Sequence, residues 1–290
     1  MPSSTATSDD QPAFLCLTCG TQFPPSPEPP AHCPICEDDR QYVNHAGQQW
    51  TTLEDLRTTH TNRFEPVANE PGVTRIVTEP KFGIGQSAYL IETPHGNVLW
   101  DCIALIDDAT IAEITRRGGI QAIAISHAHY YTTMVEWSRA FGDAPILLHE
   151  ANRPWVMRLD PAVQYWTSDQ IVPIPAITVL RTGGHFPGAM VLHWDNQDGA
   201  GDGDGVLFSG DIVRVVADRR WLTFMYSYPN DIPLDAATVA RMASQLSRYP
   251  FARIHDAFDA HVVEDGSARV QRSAERYISH VLGQAGPTIG

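Results

Sequence analysis

The stretch Ile120-Gln121-Ala122-Ile123-Ala124-Ile125-Ser126-His127-Ala128-His129-Tyr130-Tyr131-Thr132 decides how this chain folds. Its first half is an apolar, β-branched run, which is the pattern of a strand buried on both faces rather than of a strand with one wet face. Gly118-Gly119 stops a segment of helical spacing over residues 108–117, so the strand starts at about Ile120 and ends at Ser126. His127 and His129 therefore fall where a buried strand passes into a loop, and side chains two apart at such a place can face one ion. Further on, Thr133-x-x-Glu136 has the form of a capping box for a helix running to Phe141.

Outward from this stretch, the pattern predicts short strands over residues 74–78, 87–92 and 97–101, with Thr93-Pro94-His95-Gly96 turning between the last two. More strands are expected over residues 144–149, 171–182, 190–194, 206–209 and 251–255, and helices over 235–248 and 267–282. Two of these strands end in further candidate ligands. His185 lies in Thr182-Gly-Gly-His-Phe-Pro-Gly188, and Asp211 in Leu207-Phe-Ser-Gly-Asp-Ile212. A lone histidine is more often packed or capped than ligating, but a shared position at strand ends turns that expectation round. The acidic, glycine-rich segment over residues 195–205 lacks the ligand spacing and closing Glu of an EF-hand, and reads as a solvated hairpin loop.

The beginning of the chain has a different texture. Residues 1–13 are polar and read as a disordered tail. Cys16/Cys19 and Cys33/Cys36 then form two Cys-x-x-Cys pairs, separated by the proline-rich Pro24-Pro-Ser-Pro-Glu-Pro-Pro30. Such pairs close a tetrahedral zinc shell, because each tight turn presents two sulfurs to one ion. A saturated four-thiolate shell has no open position, so this centre is expected to be structural. Rubredoxin-like iron is the weaker alternative, since the spacer is short for it. The expected organisation is a four-cysteine zinc ribbon over residues 14–45, a connector over 46–72 with a short helix at 53–59, and a larger domain over 73–290. Cys102 is left over.

The net charge of −14 disfavours nucleic acid as a partner. The first residues lack the basic start and apolar run of a secretory signal, and no apolar stretch reaches membrane-spanning length. With reduced, metal-bound thiolates, this leads to the expectation of a soluble cytoplasmic protein with no membrane partner.

The order His127, His129, Gly184-His185 and Gly210-Asp211 resembles the metallo-β-lactamase superfamily, whose pattern is His-x-His-x-Asp-His, then Gly-His, then Ser/Thr-Gly-Asp, then a last histidine. The resemblance covers about residues 73–283. It implies an α/β fold, an αββα four-layer sandwich with a metal site at one edge. It implies that His127, His129 and His185 form a three-histidine site, that Asp211 is the carboxylate bridging to a second metal, and that Asp101 organises the site loops from behind the ligands. The chain departs from the pattern where Tyr131-Thr132 stands for Asp-His. It departs again near the last histidine, where Arg253-Ile-His-Asp-Ala-Phe258 offers His255, with His261 as a weaker choice.

These departures argue against a full dinuclear centre. The expectation is one zinc or iron ion with an open position, its water attacking a small ester, thioester, lactone or phosphoester. Asp211 would orient that water or take its proton, and Tyr131 or Tyr130 would stabilise developing oxyanion charge. Two readings compete with this hydrolase. One is a non-catalytic binding or scaffold protein whose ribbon recruits a protein partner, and the other is an iron-dependent redox member with Cys102 near the site. The sequence leaves a homo-oligomer open. Substrate selection is expected from loops over the metal edge at residues 81–86, 155–166 and 219–230, where Trp221, Phe224, Tyr226 and Tyr228 are candidates to line a pocket, and Arg214, Arg219 and Arg220 to meet an anion.

Overall fold

The apolar run at 120–126 becomes a short strand, Ala122–Ala124, with every side chain buried. In this computed structural model, which describes residues 11–197 and 203–284, that strand lies inside a seven-stranded sheet. In chain order the sheet comprises β3 (Thr61–Pro66), β4 (Val73–Glu79), β5 (Ala88–Thr93), β6 (Gly96–Trp100), β7 (Ala122–Ala124), β8 (Ile146–His149) and β9 (Val163–Trp166). Two shorter strands precede it, β1 (Phe14–Cys16) and β2 (Trp50–Thr52), which pair antiparallel in the ribbon. Strands β3 to β6 are antiparallel neighbours, whereas β6 to β9 run parallel.

A second sheet of six strands is ordered β10-β11-β12-β13-β18-β19. Its members are β10 (Gln170–Ile174), β11 (Ile177–Arg181), β12 (Met190–Trp194), β13 (Val206–Gly210), β18 (Arg253–Asp256) and β19 (His261–Val262). Between β13 and β18 the chain forms two small hairpins, β14 (Arg214–Val215) with β15 (Leu222–Thr223), and β16 (Met225–Ser227) with β17 (Ile232–Pro233).

Alternation along the strands shows why two sheets stack. On β6, Val98 and Trp100 join one apolar cluster while Leu99 joins another; on β13, Val206 and Phe208 divide from Leu207 in the same way. The cluster holding Trp100, Phe208, Trp194 and Tyr89 is the layer between the sheets. The other lies outside each sheet, under the helices. Since β-strand side chains alternate between faces, a strand buried on both must lie between two apolar layers. Full burial of Phe208 alone contributes about 2–3 kcal/mol. The result is a four-layer αββα sandwich, as the resemblance implies.

The described residues also form the α-helices α1 (Pro34–Glu37), α2 (Leu53–Thr59), α3 (Asp108–Arg116), α4 (Met134–Ala140), α5 (Ala236–Leu246) and α6 (Gly266–Val281). Helix α3 is capped by Asp107, whose carboxylate accepts from Thr110 N, and it ends at Gly118-Gly119, where Gly119 N donates to Ile114 O at 2.9 Å. Helix α5 starts on Asp235, which accepts from Thr238 N.

The capping box expected at Thr133 does not form. Thr133 Oγ1 donates to Ile103 O and Ala104 O at 3.2 and 2.8 Å instead, while Glu136 pairs with Arg158. Buried as it is, this hydroxyl finds its partner in the loop after β6 rather than in its own helix.

Segment 46–72, expected as a connector, carries structure of both neighbours. Its β2 pairs with the ribbon strand β1, and its β3 is the edge strand of the seven-stranded sheet. Residues 1–10 of the expected tail and 198–202 of the acidic loop lie outside the described residues. Among the described residues, no helix is long and apolar enough to cross a membrane.

Candidate metal centre

Three strand ends meet at one edge of the sandwich. His127, Ala128, His129 and Tyr130 follow β7, the loop holding His185 joins β11 to β12, and Asp211 follows β13. The two sheets are tied there by Met190 N, which donates to Ser126 O at 2.9 Å. Two glycines make the approach. Gly210 has φ +54°, and a Cβ on it would sit 2.5 Å from Ser126 Oγ. A Cβ on Gly184, at φ +89°, would sit 2.8 Å from Met242 Sδ. Neither place admits a side chain without displacing a neighbour.

His127, His129 and His185 are brought together, with one donor atom of each within 4.8 Å of the others, and all three are buried. His129 Nδ1 and His185 Nε2 are 3.4 Å apart. Two nitrogens sharing a tetrahedral ion at bonds of about 2.05 Å would be roughly 3.3 Å apart. Ring orientation is fixed from behind. His185 Nδ1 donates to Tyr226 O at 2.8 Å, which leaves Nε2 as the free lone pair, and His127 Nδ1 lies 2.9 Å from Ser126 Oγ.

His127 Nε2 and Asp211 Oδ1 are buried with no hydrogen-bond partner. Burial, then mutual repulsion, pushes His127 and His129 well below 6.5, and burial brings His185 down to about 4. The trio is thus neutral, as metal ligands must be. Neutral rings, unpartnered atoms and nitrogen spacing all fit a divalent cation.

Asp211 Oδ2 lies 3.9 Å from His127 Nε2 and accepts from Tyr130 Oη at 2.5 Å. Burial pushes this carboxyl up, Tyr130 and Arg214 draw it back, and it ends at about 6. Asp101, at φ 60°, accepts from Ser126 N at 2.6 Å, so it braces the peptide ahead of His127 from behind.

Tyr131 and His255 do not join the cluster. The Tyr131 hydroxyl is buried and hydrogen-bonds to none of the histidines or Asp211, whereas its neighbour Tyr130 packs its ring 4.3 Å from His127. His255 is the register partner of Phe208, which faces the layer between the sheets, so the pleat aims His255 there too. Its Nε2 meets Glu70 Oε1 at 3.0 Å. His261 sits beside His255, with rings 6.1 Å apart. Tyr131 and Thr132, where the resemblance leads one to expect Asp-His, supply no second ligand group among the described residues.

The four cysteines form a second group able to hold an ion, all buried and within 4.8 Å. Cys16 and Cys36 sulfurs are 3.6 Å apart, and those of Cys19 and Cys33 are 3.7 Å apart. These distances exclude disulfides and agree with the roughly 3.8 Å edge of a zinc–sulfur tetrahedron. Burial and neighbouring sulfurs push the Cys19 thiol well up, so ionising the group calls for a cation. Cys102 belongs to neither group; burial raises its thiol too.

A cleft of about 260 Å³ opens onto His129, His185 and Asp211. Arg214 lines it, its guanidinium held over the Phe258 and Tyr228 rings at 4.7 and 4.9 Å. The opposite side carries ribbon residues Thr18, Arg40, Gln41 and Tyr42, which nothing in the sequence marks as part of the site. Of the expected edge loops, Gly83, Ile84 and Tyr228 reach the cleft, while Trp221 packs under Arg276 and Phe224 against Tyr277.

YmaE, an uncharacterized protein of Bacillus subtilis strain 168, is 46% identical to this chain over 267 residues, 92% of this chain and 96% of YmaE. The chain belongs to the YmaE family. No family model matches it. Among solved structures it is similar to VMB-1, with a TM-score of 0.55 at 13% identity over 76% of this chain and 97% of that one. The DIM-1 metallo-β-lactamase gives 0.54 at 14% identity over 74% and 97%. The metallo-β-lactamase SMB-1, complexed with mercaptoacetic acid, gives 0.51 at 16% identity over 76% and 97%. This likeness shows the fold: the YmaE-type chain has the metallo-β-lactamase fold, with a cysteine cluster added at its N-terminal end.

Proposed function

We propose that this protein is a metal-dependent hydrolase with one ion at the histidine centre, acting on a small ester, thioester, lactone or phosphoester. The observation that carries the reading is the convergence of three neutral, buried imidazoles, two of which, His129 and His185, line a cleft with room for a small molecule. His127, His129 and His185 would hold the ion, zinc or iron. When bound in such a shell, a divalent ion lowers the pKa of a coordinated water toward neutrality and polarises a carbonyl or phosphoryl oxygen.

The chain's own groups supply the rest. Asp211, with its carboxyl at about 6, is largely ionised at pH 7 and can accept a proton from water in the cleft. Tyr130 holds that carboxylate in place from full burial, so it acts through Asp211 and not on the substrate. Arg214 presents a cation on the cleft wall, which favours substrates carrying a carboxylate or phosphate. Cys16, Cys19, Cys33 and Cys36 would hold a structural zinc.

The test is a screen of small esters, thioesters, lactones and phosphoesters with the wild type and His185→Ala in parallel. The expected result is turnover of at least one class by the wild type and its loss in the variant. Equal rates would sink the assignment and leave a scaffold built on the same fold. Oxygen consumption by iron-loaded protein, without hydrolysis, would favour the redox reading.

A further inference from the structure

The ribbon reaches the histidine centre through a part-buried ion pair, in which Arg40 is buried and Asp38 half-buried. Asp38 follows Cys36 by two positions, and its carboxylate takes Arg40 Nε and Nη2 at 2.6 Å each, with Trp155 Nε1 adding a bond at 3.2 Å. So fixed, the guanidinium lies over Phe186 at 4.0 Å, Trp155 at 4.9 Å and Tyr226 at 5.2 Å. Its Nη1 donates to the main-chain carbonyl of His185 at 3.3 Å. One cation from the ribbon thus touches the carbonyl of His185, the ring that follows His185, and Tyr226, whose carbonyl orients His185 Nδ1.

A plain stabilising role accounts poorly for this arrangement. A buried ion pair is weak evidence of stability, because desolvation offsets most of the attraction. Beyond Asp38 and Trp155, the contacts of Arg40 fall on the His185 carbonyl, Phe186 and Tyr226, and Arg40 itself is only 7% exposed. Its base is rigid: Cys36 N and Glu37 N both donate to Cys33 O, and Gln41 N donates to Asp38 O at 2.9 Å. The cysteine knuckle and the Arg40 side chain therefore form one short, hydrogen-bonded unit.

We propose that Arg40, carried on the four-cysteine ribbon and locked by Asp38, is a positioning residue for His185, which makes the ribbon a working part of the histidine centre. The proposal rests on reading the three imidazoles as a metal site. Its test reads ion binding, so it decides the matter even in a protein that hydrolyses nothing.

The full-length protein is loaded with Co(II), whose thiolate charge-transfer bands report the cysteine centre; the visible ligand-field bands of the histidine centre are taken as the difference from Co(II)-loaded His127→Ala, which keeps only the cysteine ion. Affinity at the histidine centre is measured by competition with a chelator in wild type, Arg40→Ala, Arg40→Lys and Asp38→Asn. Arg40→Ala is expected to weaken that centre by about tenfold to a hundredfold and shift its ligand-field bands, while the thiolate bands stay in place. Arg40→Lys, which keeps the charge but loses the flat fork, is expected to recover only part of the loss. Should Arg40→Ala fail to fold, Arg40→Lys and Asp38→Asn give the same readout. Affinities within twofold of wild type and unshifted bands in the folded variants would overturn the proposal.

Discussion

Tyr130 Oη lies 2.5 Å from Asp211 Oδ2, so the residue next to His129 on one sheet fixes the carboxylate delivered by the other. Against the upward push of burial, this bond helps hold the Asp211 carboxyl at about 6. Removing it in Tyr130→Phe disfavours the carboxylate and moves its pKa higher. The acid limb of the pH–rate profile is then expected to move to higher pH, with the metal content of the protein unchanged. Rates across pH on the best screened substrate, with metal analysis beside them, check this.

The two ion groups are expected to respond unequally to mutation. His127→Ala should remove one ion per chain and leave the cysteine ion in place. Cys16→Ser should remove the cysteine ion and also loosen the histidine ion, because Asp38 and Arg40 project from the Cys33/Cys36 knuckle, which would share that ion with Cys16. Metal counts on the two purified variants test the asymmetry.

Gly210→Ala places a Cβ 2.5 Å from Ser126 Oγ at a φ of +54°. Ser126 is fully buried and its main chain is held by Asp101, so it has little room to yield. A destabilisation of about 1–3 kcal/mol is expected, together with weaker ion retention as Asp211 shifts. Urea unfolding and metal analysis measure both.

Asp101 is buried, and that burial pushes its carboxyl up to about 8, with Ser126 pulling it only partly back. An unfolded aspartate titrates near 4. In metal-free protein the folded state therefore binds the proton more tightly, so stability is greatest below pH 4 as far as this group goes. It falls as pH rises from about 4 to about 8. Compared with Asp101→Asn, wild type should lose a few kcal/mol more across that window. Unfolding curves in chelator at several pH values give the comparison; parallel pH dependences would refute it.

Arg214 faces the cleft over two aromatic rings. Arg214→Ala is expected to raise KM for anionic substrates by about tenfold, equivalent to ~1.4 kcal/mol, and to leave neutral esters nearly unaffected. Paired kinetics on a carboxylate-bearing ester and its neutral counterpart measure the contrast.

Much of the sandwich was legible because its central strands are buried on both faces, which leaves apolar runs such as those at 120–126 and 206–209. Helix limits were legible at Asp235, which caps, and at Gly118-Gly119, which ends a helix. The edge strand Thr61–Pro66 was not, because its alternation is mostly polar and its pairing with Val73–Glu79 supplies the order. Nor were the hairpins between Arg214 and Pro233, whose strands are only two or three residues long.

The candidate site divides in the same way. His127, His129, His185 and Asp211 stood out because each follows an apolar strand or sits among glycines. Tyr130 and Tyr131 were indistinguishable as neighbours, and His255 was placed by sequence order where the pleat turns it inward. Arg40 gave no signal at all, since Glu37-Asp38-Asp39-Arg40-Gln41 reads as a solvated polar segment.

By itself, the sequence determined the supply of donors and the strands that carry them, because burial and chain reversal leave their marks over a few neighbouring residues. Which donors meet was decided only by the tertiary structure. Imidazoles from separate strands converge through sheet register and pleat direction, and the ribbon's arginine reaches His185 through a contact between residues 145 positions apart. No local pattern encodes a contact of that kind.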